Sequence, residues 1–156
     1  MNVTGLASVA LAVWLWAGPL PALAVDTSTP EAAEADPDYA TAAQAIKAGK
    51  WAAAISLLEG VVKRDAGNAD AFNLLAYATR KNGNPAASIP IYEKALALDP
   101  KHKGAHEYIG EAYLALNNLA KAKEHLAKLS SLGPTTGEEY RDLKKAVERY
   151  EKSRKK

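Results

Sequence analysis

The feature that most constrains this chain is a pattern that returns every 34 residues. Gly49, Gly83 and Asn117 are three occurrences of one position, and so are Ala42, Ala76 and Gly110, or Ala54, Ser88 and Ala122. Leu58, Tyr92 and Leu126 form a fourth such set, followed three residues later by Val61, Ala95 and Leu129. A period of about 20–50 residues marks stacked copies of one supersecondary unit, each too small to bury its apolar face alone. The chain is therefore expected to bury its core between neighbouring copies.

The central copy shows what the unit is. Its apolar residues fall at Phe72, Leu75, Tyr77 and Ala78, then at Ile89, Tyr92, Ala95, Leu96 and Leu98. Spacings of three and four put each set on one helical face. Gly83-Asn84-Pro85 separates them: glycine admits a positive φ at the end of a helix, asparagine caps the next, and proline suits a first helical position. Asp99-Pro100 closes the hairpin. The recurring Ala, Ser and Gly positions let two helices cross closely, while the Leu and Tyr positions supply the knobs. Pro90 opposes the pattern, since an interior proline lacks a donor and collides with the preceding turn. It predicts a kink, or a late start with Ser88 in place of Asn84 as the cap.

An aromatic, a leucine, a small residue, a turn glycine, an alanine, an aromatic, an alanine and a proline, in that order, mark the tetratricopeptide repeat family, which this chain resembles. The central copy has Phe72, Leu75, Ala76, Gly83, Ser88, Tyr92, Ala95 and Pro100; the next has His106, Ile109, Gly110, Asn117, Ala122, Leu126, Leu129 and Pro134. Asp38, Thr79 and Ser88 depart from the pattern. The resemblance implies an all-α fold, an α-solenoid of three helical hairpins spanning 38–134 (units 35–68, 69–102 and 103–136) plus a C-terminal capping helix. The first unit, dense in alanine, reads as an atypical terminal repeat.

The last segment, 137–156, is the expected cap. Thr136-Gly137-Glu138-Glu139 has the form of a capping box, with a threonine hydroxyl and a glutamate exchanging backbone donors. Tyr140, Leu143, Ala146, Val147 and Tyr150 make one apolar stripe, and from Arg141 onward eight basic residues outnumber three acidic ones. A solvated outer face suits the end of a solenoid, and cations suit a helix C-terminus.

At the other end, Leu6 to Ala17 is a run of 12 apolar and small residues, followed by Gly18, Pro19, Pro21 and the A-x-A triplet Ala22-Leu23-Ala24. Residues 1–24 thus read as a secretory signal peptide, too short for a comfortable membrane span. No stable span is expected after cleavage, and the location implied is periplasmic or secreted. Residues 25–37 form an acidic, Pro- and Ser/Thr-containing leader, expected to be flexible.

The 156 residues carry a formal net charge of +2 and no cysteine. That balance demands no nucleic acid, and the missing thiols exclude disulfides, thiol catalysis and thiolate metal sites. His102 and His106 have the spacing of two metal ligands on a helix but no arranged third, so they read as a loop histidine and a histidine in the packing-aromatic position. His125, among Lys121, Glu124 and Lys128, reads as surface. No phosphate-cradling loop or nucleophile elbow occurs, so no enzyme, cofactor or metal is expected.

Stacked hairpins instead offer an extended concave surface. By the resemblance, the first helix of each unit lines it, which selects Tyr39 and Lys47; Asn73, Tyr77, Arg80 and Lys81; and Glu107 and Glu111, with Arg141 added by the cap. The expected roles are a backbone hydrogen bond from Asn73, stacking on Tyr77, carboxylates at Arg80 and Arg141, and basic groups at Glu107 and Glu111. The family's clamp for a terminal carboxylate is not supported, because Tyr39 and Ala43 stand where it would need lysine and asparagine. The function expected is a scaffold that binds a peptide or protein segment. The alternatives are self-assembly into a homo-oligomer, or an accessory role in envelope protein or cytochrome maturation.

Overall fold

The computed structural model describes residues 36–155. The expected signal peptide and most of the leader lie outside the described residues. Among the described residues seven helices follow one another: α1 (Pro37–Lys47), α2 (Trp51–Arg64), α3 (Ala69–Lys81), α4 (Pro85–Leu98), α5 (Lys103–Ala115), α6 (Leu119–Leu132) and α7 (Glu138–Ser153). No strand occurs among the described residues, and no helix there is long and apolar enough to cross a membrane. Asp36 and Pro37, at the end of the acidic leader, are already the cap and first residue of α1.

The three hairpins are closed by the same device. Gly49, Gly83 and Asn117 have φ of 68°, 91° and 59°, the left-handed conformation that ends a helix. In each, two backbone N–H groups reach back across the turn. Gly83 donates to the Arg80 carbonyl at 3.1 Å and Asn84 to the Thr79 carbonyl at 3.2 Å, and the pairs at Gly49-Lys50 and Asn117-Asn118 repeat this. Helix starts are capped as regularly: Asn68, Asn84 and Asn118 each accept an N–H from three residues on, and the His102 imidazole Nδ1 does the same for Ala105 at 3.2 Å.

Two local expectations are corrected. The Asn84 cap is retained, so α4 starts at Pro85 and runs without a late start through Pro90, its sixth residue. Pro90 and Ala86, four residues before it, are both exposed, so water can serve the carbonyl that lost its donor. The Ser88 hydroxyl, far from capping, donates to the Pro85 carbonyl at 2.7 Å. The capping box of α7 does not form either: Gly137 is the N-cap, with no side-chain cap, and its N–H donates to the Pro134 carbonyl at 2.9 Å. The turn after α6 thereby consumes the threonine's place.

The core is a row of interfaces rather than one centre. Ala42, Leu58, Val61, Ala71 and Leu75 join the first two hairpins; Ala76, Tyr92, Ala95, Ala105, Ile109 and Ala112 join the second to the third. Leu114, Ala122, Leu129, Leu143, Ala146 and Val147 then seat α7 on α5 and α6. The small positions Ala42, Ala54, Ala76, Ser88 and Ala122 are fully buried, as close crossing requires. Each cluster is built from adjacent units, the nearest-neighbour organisation of a solenoid.

First helices of successive units touch: α1 meets α3, α3 meets α5, and α5 meets α7. Among the described residues the second helices α2, α4 and α6 do not meet one another. A stack whose first helices are closer than its second helices curves toward the first, so α1, α3, α5 and α7 line its inner face.

Candidate functional site

The centre of that inner face is an aromatic and charged ladder across α2, α3 and α5. The Tyr77 ring lies 4.8 Å from Tyr108 and meets Trp51 edge-on at 6.1 Å, both within the range of favourable aromatic pairs. Lys81 Nζ sits 5.7 Å from the Trp51 ring and 6.0 Å from that of Tyr77. Arg80 places its guanidinium carbon 5.4 Å from the Tyr77 ring and 5.9 Å from Tyr108, and its Nη2 is 2.8 Å from Glu111 Oε2.

Arg80 is held from all sides. Burial works against its charge, but Tyr92 and Glu111 beside it more than offset that, so it remains a cation. Its Nε and the Tyr92 hydroxyl are both buried and complete no hydrogen bond. Burial pushes the Tyr92 hydroxyl up, against the pull of Arg80, and burial with Glu107 takes Tyr108 up to about 12. The phenols therefore stay neutral and act as ring faces and hydroxyl groups, not as anions.

The residues expected on this face separate into three groups. Tyr77, Arg80, Lys81 and Glu111 are brought together, although Arg80 and Glu111 spend their charge on each other. Asn73 and Glu107 are also on this face but buried, 6% and 8% exposed. Burial raises the Glu107 carboxyl to about 8, reinforced by Glu111, Asp142 and Glu139 and opposed by Arg80. Tyr39, Lys47 and Arg141 stand apart from the ladder: Tyr39 packs against the core of the first hairpin, while Lys47 and Arg141 are exposed.

Trp51 and Tyr108 complete the ladder and were not among the expected residues. Their signal was a departure from the repeat, because the equivalent places hold Pro85 and Leu119, and Leu74. Asp36 and Asp70, at the outer rungs of the same face, are tied down: Asp36 by Arg64 at 2.8 Å, Asp70 by His102 at 3.0 Å.

A second polar cluster lies on α5 and α6 and corrects the surface reading of His125. His125 is half-buried, with its Nδ1 3.0 Å from His106 Nδ1 and its ring stacked on Tyr113 at 5.8 Å. His106 Nε2 lies 3.1 Å from the Pro100 carbonyl, which only accepts, so Nε2 carries the proton and Nδ1 is bare. His125 then donates from Nδ1. Burial and the neighbouring ring hold His125 down at about 4, and burial holds His106 below the usual imidazole range. Two neutral imidazoles thus form a chain of hydrogen bonds to the α4–α5 turn. Among the described residues no three His, Cys, Asp or Glu side chains gather as a metal site.

Comparison with known proteins agrees with the all-α repeat fold. Two family models, each described as tetratricopeptide repeat, match residues 39–100 and 79–147. Among solved structures, the Yersinia enterocolitica type III secretion translocator chaperone SycD superposes with a TM-score of 0.68 at 19% identity, over 77% of this chain and 85% of that one. PcrH, in complex with the chaperone-binding region of PopD, gives 0.67 at 20% identity over 77% and 92%. The TPR2B domain of yeast Sti1, in a complex with pHsp70, gives 0.69 at 18% identity over 75% and 95%. A search of curated proteins by sequence returns no match.

Proposed function

Since the chain belongs to the tetratricopeptide repeat family, whose fold typically serves interaction rather than catalysis, we propose that it is a non-enzymatic scaffold holding a peptide or protein segment on its inner face. The observation that carries this reading is the ladder of Trp51, Tyr77, Tyr108 and Lys81, which presents aromatic faces and a cation along α3, α5 and the start of α2. Such a surface buries amphipathic area at low entropic cost. Structural neighbours support it, because PcrH is seen with the chaperone-binding region of PopD and Sti1 in a complex with pHsp70. The family's clamp for a terminal carboxylate does not support such a partner here, because Tyr39 and Ala43 stand where it needs lysine and asparagine.

A photocrosslinking amino acid placed at Lys81 or Lys145, on inner helices, should trap a partner from an envelope extract. The same probe at Glu93 or Lys123, exposed on α4 and α6, should trap none. Equal trapping at both sets, or trapping on the outer helices alone, would overturn the inner-face reading.

We propose further that the protein is exported, on the strength of the apolar run Leu6–Ala17 and the triplet Ala22-Leu23-Ala24. N-terminal sequencing of the protein isolated from its host should begin at Val25; an intact Met1 on the bulk of the protein would refute export with cleavage.

A further inference from the structure

Pairing within the inner face leaves two hydrogen-bond acceptors over. Glu107, 8% exposed, has neither an ion pair nor a hydrogen bond among the described residues. Asn73, 6% exposed, has a buried Oδ1 with no donor. Asn73 reaches α5 at Gly104, one turn before Glu107: a Cβ built there would be 3.6 Å from Asn73 Nδ2. A buried acceptor without a donor, as the Asn73 Oδ1 is, costs the fold free energy.

The surrounding charge says what kind of donor is missing. Glu111 on α5 and Glu139 and Asp142 on α7 all act on Glu107. Arg80 on α3, the cation that acts on it, is already held by Glu111. Asp142 faces Lys145 at the looser distance of 3.7 Å, and Arg141 beside it is exposed to solvent. An anionic group brought here would meet like charge, and an apolar group would leave both acceptors unsatisfied.

Resting on the inner-face reading above, we propose that Glu107 and Asn73 form a subsite for a lysine or arginine side chain of the bound segment. Its N–H groups donate to the Asn73 Oδ1 and the Glu107 carboxylate, and its charge is neutralised by the acidic wall from α5 and α7. Glu107 is protonated in the free protein until about pH 8. Entry of the cation therefore displaces that proton to solvent, leaving a carboxylate paired with an ammonium or guanidinium group.

The test uses a random dodecapeptide display library selected on the full chain and counter-selected on a Tyr77→Ala variant. Peptides that depend on Tyr77 should be enriched in lysine or arginine at one position. A synthetic copy of such a peptide should lose at least tenfold in affinity when that residue becomes norleucine, and less than twofold when the same exchange is read on Glu107→Gln. Affinity for the wild type should also climb as pH rises from 6 to 8, with a slope approaching one log unit per pH unit, as release of one proton requires. Glu107→Gln should flatten it. Tyr77-dependent peptides without basic enrichment, or a norleucine effect unchanged by Glu107→Gln, would overturn the subsite and leave the inner-face reading standing. Failure to select any Tyr77-dependent peptide would overturn both.

Discussion

Leucine in place of Gly110 should lower the melting temperature by roughly 10–20 °C, and alanine there should already cost about 1–3 kcal/mol. A Cβ built on Gly110 would stand 2.6 and 2.7 Å from the two methyl carbons of Leu143 and 3.3 Å from its Cγ. Methyl groups need nearly 4 Å between carbons, so α5 and α7 must part or Leu143 must turn. Leu143 is fully buried among Leu114, Leu129, Ala146 and Val147 and has nowhere to turn. The repeat pattern predicts close approach at this position but places it between the two helices of the hairpin. The structure moves it to the contact between α5 and the cap.

That distinction is measurable. Gly110→Ala combined with Leu143→Ala should cost at least 1 kcal/mol less than the sum of the single changes, because the second removes what the first collides with. Amide exchange in Gly110→Leu should quicken first in α7. A melting temperature within about 2 °C of the wild type would refute the contact.

The period made the architecture legible because backbone geometry repeats with it. Gly49, Gly83 and Asn117 share a left-handed turn, and only residues tolerant of that conformation can hold the place. The caps at Asn84 and Asn118 and the stripe Leu143, Ala146, Val147 follow from equally local rules. Where two local rules competed, reading from sequence failed: the threonine of the apparent capping box was taken by the turn from Pro134 to Gly137, leaving glycine to start α7.

The site was legible only as a face. The resemblance implies that Arg80 and Glu111 both look inward; it cannot say that they reach each other across the gap between α3 and α5 and cancel. Aromatic side chains on a helix usually go into packing, and the meeting of Trp51 and Tyr108 with Tyr77 depends on how neighbouring hairpins stack. His125 misled for the same reason. Its helical neighbours Lys121, Glu124 and Lys128 are solvated, whereas its decisive contacts, His106 and Tyr113, come from α5.

Glu107→Gln should make the free protein more stable, by about 1–3 kcal/mol or roughly 3–10 °C at pH 8, and by almost nothing at pH 4. The sign follows from the direction of the shift. The carboxyl titrates near its ordinary value of 4.5 in the unfolded chain and near 8 in the folded one. Between those values the folded state binds more protons, so wild-type stability falls as pH rises through the window, from its full value below 4.5. Glutamine keeps the shape and cannot ionise, so it escapes the loss. Thermal melts of both proteins at half-unit steps from pH 4 to pH 8.5 should show two curves that coincide in acid and diverge toward pH 8. Parallel curves would place Glu107 in contact with water and remove the buried acceptor from the inner face. A group that weakens the free fold at neutral pH fits the subsite proposed above, in which a cation brought by a partner would recover the loss.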